Sequence, residues 1–322
     1  MARAVALGDA VRATTSPNPW VGAVLVSVDG HFFEGATQPP GGPHAELVAL
    51  RSAGDGAGGA TLYVTLEPCS HHGRTPPCAD AIVDAGVARV VVAVEDPDPQ
   101  VGGRGLARLR EAGVQVEVGL GAGTVREQLA PYLKHRTTGR PWVVLKLAAT
   151  LDGRIAAPDG SSRWVTGQEA REDAHRLRAG SDAVLVGAGT VRADDPSLTV
   201  RLVPGRDPAR VVLGHVPDRA QVRPALEVGG DLGEVLDDLG RRGVVQLLVE
   251  GGATVAHGFH TAGLVDRYVL YLAPALLGGD DGLPLFAGPG APTMAEAWRG
   301  RLVGVARLGD DVRIELAPAG SG

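Results

Sequence analysis

Thr65–Cys78, TLEPCSHHGRTPPC, decides how the first half of this chain is read. It opens as the end of a β-rich run, TLYVTLEP, and Pro68 stops the strand just before Cys69. Cys78 begins CADAIVDAG, a helix pattern closed by Gly86. Upstream, GGPHAELVALRSAG is a glycine-rich loop running into a helix, with Leu47, Val48 and Leu50 on its apolar face and Gly54 at its end. His44 opens that helix, and Glu46 follows it by two positions. One imidazole and two thiolates make a three-ligand zinc set that leaves a fourth place for water. A helix N-terminus favours thiolate over thiol, through its free amide hydrogens and dipole. The spacing lets Glu46 face such a water without ligating the metal, so that its carboxylate can pass a proton to a leaving amine. Two ordinary buried thiols would instead leave both cysteines on polar, proline-rich turns for no reason.

Outward from this stretch, residues 1–15 read as a helix and TSPNPWVGAVLV as a turn before a strand. ARVVVAVEDP, LARLREAG and VQVEVG continue as strand, helix and strand. The alternation indicates a layered α/β domain over residues 1–122. VREQLAPYLKHRTTGRP reads as a connecting helix and linker, 123–141, ended or kinked by Pro131. A second α/β domain spans 142–322, with strands in WVVLKLAATLDGRIA, DAVLVG, ARVVLG and VVQLLVE and helices near Glu169–Ala179 and Leu232–Arg241. Its C-terminal hairpin, RLVGVARLGDDVRIELAP, turns at Gly309-Asp310-Asp311. A mixed sheet is expected.

Composition narrows the function classes. The 322 residues suit two domains. Glycine and proline, 47 and 23 residues, stay below the ~25–30% of low-complexity sequence. A formal charge of -6 lacks the basic field of a nucleic-acid binder. No run approaches ~18 apolar residues, so no membrane span is expected. The N-terminus is interrupted by Arg3, Asp9 and Arg12 and lacks a signal-peptide core, which points to the cytoplasm. Two cysteines in a reducing compartment suit a metal better than a disulfide.

The motif HxE followed by PC…C is the signature of zinc nucleoside deaminases. Base and nucleoside deaminases usually place two residues between the cysteines, whereas SHHGRTPP puts eight there. That loop, with HAE, EDPDPQVGGRG and TSPNPWVGAVLV, resembles the deaminase half of the bacterial bifunctional riboflavin-biosynthesis family, RibD. The resemblance implies a cytidine-deaminase-like three-layer α/β/α domain. It implies Zn2+ on His44, Cys69 and Cys78, Glu46 as the catalytic proton shuttle, and a phosphorylated aminopyrimidine substrate deaminated to its uracil form. Asn18, in a PNP turn, offers an amide to the pyrimidine edge. Arg74 and Arg104 suit a phosphate, and His71 and His72 read as loop or substrate-contacting residues. Thr37 stands where many relatives carry histidine.

The second half resembles the family's dihydrofolate-reductase-like α/β domain through KLAATLDGRIA, GSSRWVTGQEAREDAHRLRAGSDAVLVGAGTVRADDPSLTVR, LLVEGGATVAHGF and APALLGG. The implied chemistry is hydride transfer from NADPH to C1′ of the ribosyl group, giving ribityl. By the resemblance, cofactor contacts fall at Ala148, Trp164, Thr190, Asp194 and the stretch from Gly252. Substrate contacts fall at Ser162, Arg178, Leu198, Arg201 and Glu250. Both arginines suit a phosphate, and Lys146 is a lesser candidate that can instead pair with an acid. GAGTV and EGGATV each follow a strand, but neither completes a dinucleotide fingerprint. Gly214-His215 replaces the family's frequent Asp-Ser. The segment from there to Asp231 is short and proline-rich, too short to supply a strand and helix. A two-activity enzyme is the leading expectation. A deaminase with a non-catalytic C-terminal scaffold is the alternative, and the intact Glu46 argues against a zinc-stabilised sensor. A homo-oligomer, dimer or tetramer, is expected, with no nucleic-acid or membrane partner.

Overall fold

The computed structural model describes residues 1–70, 77–98 and 101–319. It divides into two units, Met1–Gly139 and Arg140–Gly322.

In the first unit, α1 (Ala2–Thr15) leads into an antiparallel pair, β1 (Gly22–Val26) and β2 (Phe32–Ala36). Then α2 (Ala45–Ala53), β3 (Thr61–Leu66), α3 (Cys78–Asp84), β4 (Arg89–Val94), α4 (Arg104–Glu111) and β5 (Gln115–Val118) alternate. The sheet order is β2-β1-β3-β4-β5, with β3, β4 and β5 parallel. Interior β4, RVVVAV, is buried from Val90 to Val94, as a parallel strand covered on both faces must be. Helices α2, α3 and α4 touch in sequence, while α1 touches α5 (Ala122–Gln128), giving two helical layers about the sheet. Gly22 is required here: a Cβ on it would lie 1.9 Å from the Ala4 carbonyl oxygen, where α1 lies on β1. Residues 123–141, read as a connecting helix and linker, form most of α5 and all of α6 (Ala130–Thr138). Val125, Leu129 and Tyr132 are buried in the first core, so the segment as far as Gly139 belongs to the first unit. Pro131 sits in the first turn of α6, where its missing N–H would be unpaired anyway.

The second unit opens with β6 (Trp142–Thr150), β7 (Arg154–Ala156), α7 (Gln168–Ala179), β8 (Ala183–Gly187) and α8 (Ala188–Asp194). It continues with β9 (Ala209–Leu213), β10 (Leu226–Val228), α9 (Leu232–Arg241), β11 (Gln246–Val249), α10 (Ala253–Thr261) and β12 (Arg267–Ala273). After β13 (Leu283–Pro284), β14 (Gly300–Leu308) and β15 (Asp311–Pro318) form the C-terminal hairpin. The main sheet runs β10-β9-β8-β11-β6-β12-β15-β14 and is mixed: β10 through β12 are parallel, and β15 and β14 antiparallel. Side chains alternate between two cores with period two. Val143, Leu145, Leu185, Leu247 and Val249 enter one core, and Val144, Val184, Val186 and Leu248 the other. The short segment after Gly214 supplies more than its length suggests. It forms β10, a three-residue parallel edge strand on β9, although residues 214–225 before it contain no helix.

Candidate active sites

The chain folds so that His44, Cys69 and Cys78 converge. His44 caps the N-terminus of α2 in an extended conformation, Cys69 follows the end of β3, and Cys78 is the first residue of α3. His44 Nδ1 lies 3.6 Å from Cys69 Sγ and 3.3 Å from Cys78 Sγ, and all three ligand atoms fall within 4.8 Å of one another. Tetrahedral Zn–S and Zn–N bonds of ~2.3 and ~2.0 Å place nitrogen and sulfur roughly 3.5 Å apart, so these side chains fit zinc without rearrangement. The Cys78 amide approaches Cys69 Sγ at 3.5 Å. The Cys69 thiol is held down at about 4, chiefly by hydrogen bonding with Cys78, while Cys78 is pushed up by the same pairing and by burial.

Glu46, in the first turn of α2, is buried beside this triad. Burial pushes its carboxyl up to about 7, against the opposing pull of His44. A carboxyl poised there can accept and return a proton near neutrality. The adjoining cavity has a volume of about 270 Å³ and is lined by His44, Glu46 and Cys69, with Asn18 and Thr37. Thr37 is buried, and its hydroxyl accepts the Val21 N–H at 3.1 Å. Arg104 is exposed and does not line the cavity. Arg74, His71 and His72 lie outside the described residues.

Five polar groups in this wall escape the sequence reading: Glu67, Asp96, Asp98, Tyr132 and Arg136. Glu67 precedes Pro68-Cys69 and accepts backbone N–H groups of Asp96, Gly103, Gly105 and Leu106 at 2.9–3.2 Å. It therefore caps α4 and ties Asp96 and the start of that helix to the metal-bearing strand end. Gly105 permits the contact, because a Cβ there would lie 1.9 Å from the Pro68 carbonyl oxygen. The acidic run EDPDP was the available signal for Asp96 and Asp98; the helix of Tyr132 and Arg136 was legible, but nothing local tied it to the site.

In the second unit, a cavity of about 490 Å³ is lined by Ser162, Trp164, Arg178, Thr190, Asp194, Leu198, Arg201 and Glu250. Eight of the ten positions expected there thus share one wall. Gly252 adjoins it, since a Cβ on Gly252 would sit 3.4 Å from Thr190 Oγ1. Ala148 does not line the cavity; it is half-buried on β6, packed against the second core. Lys146 is half-buried on the same strand, 5.8 Å from the Tyr271 ring centroid, and burial lowers its pKa despite the attraction of Glu250. Asp195 and Leu198 adopt positive φ, 40° and 54°, and both line this cavity. Non-glycine residues held in that region collect at ligand sites. Gln221, also unanticipated, bonds Asp195 Oδ1 through its N–H at 2.8 Å.

Comparison with known proteins matches each unit separately and the chain as a whole. Residues 1–94 match the cytidine and deoxycytidylate deaminase zinc-binding region, and 141–314 the RibD C-terminal domain. The riboflavin biosynthesis protein RibD of Escherichia coli is 42% identical over 99% of this chain and 98% of that protein. Its Mycobacterium tuberculosis counterpart is 44% identical over 95% and 93%. The solved structure of Acinetobacter baumannii RibD superposes with a TM-score of 0.93 at 39% identity, covering 99% of this chain and 97% of that one. A Thermotoga maritima diaminohydroxyphosphoribosylaminopyrimidine deaminase/5-amino-6-(5-phosphoribosylamino)uracil reductase gives 0.89 at 35%, with coverages of 99% and 97%.

Proposed function

The chain belongs to the RibD family of riboflavin biosynthesis proteins, and from that premise we propose that it carries out two successive reactions. The first unit hydrolyses the ring amine of the diaminohydroxyphosphoribosylaminopyrimidine. The second reduces the resulting 5-amino-6-(5-phosphoribosylamino)uracil at C1′, opening the ribosyl ring to a ribityl chain. The observation that carries this reading is the convergence of His44, Cys69 and Cys78 beside buried Glu46 in one cavity.

In the deaminase, His44, Cys69 and Cys78 hold zinc, which supplies Lewis-acid activation of water. Glu46 takes a proton from the attacking water and delivers it to the departing amine. Water adds at the amine-bearing carbon, the C–N bond breaks, and ammonia and a ring carbonyl result. Asn18 aligns the pyrimidine edge through its carboxamide.

In the reductase, NADPH supplies the hydride. Trp164, Thr190, Asp194 and the turn at Gly252 hold the cofactor, while Ala148 packs against the core behind them. Ser162, Leu198, Arg201 and Glu250 hold the substrate, with Arg178 fixing Glu250 in place at the cavity wall. Arg201 is exposed at the cavity, its Nη1 donating to Ser197 and Thr199 hydroxyls, and it grips the phosphate. The reduced thiols of the metal site suit the cytoplasm, and the chain works as a homo-oligomer, a dimer or tetramer. No described helix is long and apolar enough to cross a membrane.

The test is incubation of zinc-loaded protein with the diaminopyrimidine phosphate, with and without NADPH, following ammonia and absorbance at 340 nm. Both signals are expected. Ammonia without NADPH consumption would leave a deaminase carried on a scaffold, and neither signal would overturn the reading.

A further inference from the structure

Arg201, which grips the phosphate in the reading above, stands on a segment with no framework of its own. Residues 196–206 belong to no helix or strand, and among the described residues none of their backbone groups bonds another backbone group. A stretch left free in this way pays conformational entropy whenever a ligand requires one shape of it. Side chains hold it instead, and they act on three successive residues. The Thr199 carbonyl oxygen accepts Arg178 Nη1 at 3.3 Å, the Val200 N–H donates to Asp207 Oδ1 at 2.7 Å, and the Arg201 N–H donates to His175 Nδ1 at 3.0 Å. Asp207 is exposed and close by in sequence, so its hold is local. His175 and Arg178 lie one turn apart on α7, so one helix face fixes both ends of the stretch from Thr199 to Arg201.

His175 is buried on that helix and does not line the cavity. Its Nδ1 accepts a hydrogen bond only while that nitrogen carries no proton. Burial, with the charges of Arg178 and Arg201, keeps the imidazole neutral, so the acceptor is present throughout the neutral range. Beyond the main chain, the Arg201 guanidinium is steadied by the hydroxyls of Ser197 and Thr199. The fork is thus set at its root by His175 and at its tip by two hydroxyls. From this arrangement we infer that His175 is a positioning residue of the reductase, which places Arg201 before the substrate arrives and so sets the affinity for the phosphorylated uracil. A preset group binds more tightly because less ordering remains to be done on binding. This rests on the assignment of Arg201 to the phosphate and extends it to a histidine that the sequence presents as one letter in a helix.

Three variants separate the acceptor from the bulk of the ring. His175→Leu keeps an apolar side chain and removes the acceptor. His175→Asn returns a carboxamide oxygen to the place of Nδ1, and His175→Gln moves it out toward the place of Nε2. With NADPH saturating, His175→Leu should raise KM for 5-amino-6-(5-phosphoribosylamino)uracil by about 5- to 30-fold, the equivalent of ordering one backbone residue on binding, and change kcat by less than about threefold. His175→Asn should stay within about threefold of the parent KM, and His175→Gln should follow His175→Leu. That second pair decides the matter where His175→Leu folds poorly. In an Arg201→Ala background, His175→Leu should add less than about twofold, since the group it positions is gone. A further readout needs no turnover. Without NADPH the uracil is not reduced, and quenching of Trp164, exposed at this cavity, reports its binding. The midpoint should rise in His175→Leu by the same factor as KM. A KM raised by Arg201→Ala but unchanged in both His175→Leu and His175→Gln overturns the inference and leaves the phosphate assignment standing. A His175→Leu effect of equal size with and without Arg201 does the same. A KM unchanged by Arg201→Ala overturns the phosphate assignment and the inference with it.

Discussion

Arg178 grips Glu250 at two points: Nε donates to Oε1 at 2.6 Å and Nη2 to Oε2 at 2.8 Å. The side chains are 14% and 8% exposed, so the pair is largely desolvated. Each residue reads from the sequence as an independent substrate contact, but in the fold each is the other's partner. A phosphate cannot occupy the Arg178 fork without displacing a carboxylate. Arg178 therefore holds Glu250 ionised at the cavity wall.

Removing Arg178 strands that carboxylate. Arg178→Ala should destabilise the protein by about 3–5 kcal/mol, the cost of breaking a buried pair from one side. Adding Glu250→Gln should recover a large part of that loss, because the uncompensated charge is gone. Urea unfolding of the two variants measures both effects. A stable single variant, or a double variant less stable than the single, would show that the pair is not desolvated as described.

Arg201 should behave in the opposite way. It is exposed at the same cavity and bonded to the hydroxyls of Ser197 and Thr199. Arg201→Ala should leave stability within about 0.5 kcal/mol and raise the reductase KM for the phosphorylated uracil by about 10- to 100-fold. Steady-state NADPH oxidation gives the second number. An unchanged KM would remove Arg201 from the phosphate site.

Glu46 lies beside the metal triad but is not one of the three converging ligands. Glu46→Gln should retain one zinc per chain by elemental analysis while ammonia release falls by at least about 100-fold, the lower bound for losing a positioned acid–base group. Loss of the metal together with the activity would make Glu46 a structural element of the site.

The zinc triad was legible because its chemistry demands rare residue types at helix starts and a strand end, and those features are local. The alternation of strands and helices was legible for the same reason, down to Gly54 closing α2 and the turn after β14. What escaped depends on distant contacts. β2, FFEGA, has no clean alternation, and it is a strand because Gly22–Val26 pairs with it. The 123–141 segment reads as a connecting helix with a largely polar face, and Val125, Leu129 and Tyr132, which tie it to the first core, are too widely spaced to announce it. Glu67 is one letter in a motif whose neighbours are cysteine and proline, and its role is set by amides some forty residues away. The Arg178–Glu250 pair joins positions 72 residues apart.

The C-terminal hairpin carries the prediction about assembly. β14 is the outer strand of the eight-stranded sheet and exposes Leu302 and Val305 at 58% and 60%. An apolar open edge is a template for pairing with another strand. Light scattering at micromolar concentration should give a dimer or larger, and Val305→Lys should shift it toward monomer. A monomer in the parent protein would rule out this use of the edge.

Acid should weaken the second unit in two successive windows. His175 is buried on α7, and its Nδ1 accepts the Arg201 N–H at 3.0 Å. Burial, and then the charges of Arg178 and Arg201, lower its pKa to about 4. The folded chain thus keeps this imidazole neutral where the unfolded chain, near the ordinary 6.5, takes up a proton. Stability must rise with pH across that interval, so it falls as pH drops from about 6.5 to about 4. For Glu250, burial alone would push the carboxyl up, but the charge and hydrogen bonds of Arg178, with Lys146 and His175, hold it at about 2. Its contribution is complete above the ordinary value of 4.5 and fades as pH falls toward about 2. The two windows meet, and unfolding free energy should decline continuously from pH 6.5 downward. A Trp20→Phe background isolates the effect from acid loss of metal in the first unit, since the remaining tryptophans, Trp142, Trp164 and Trp298, all belong to the second. In that background, His175→Gln should flatten the urea-midpoint curve above pH 4 and leave the lower limb. Glu250→Gln should lower the plateau and flatten the limb below pH 4.5. An upper limb that persists in His175→Gln would assign that window to another group and remove His175 as its source.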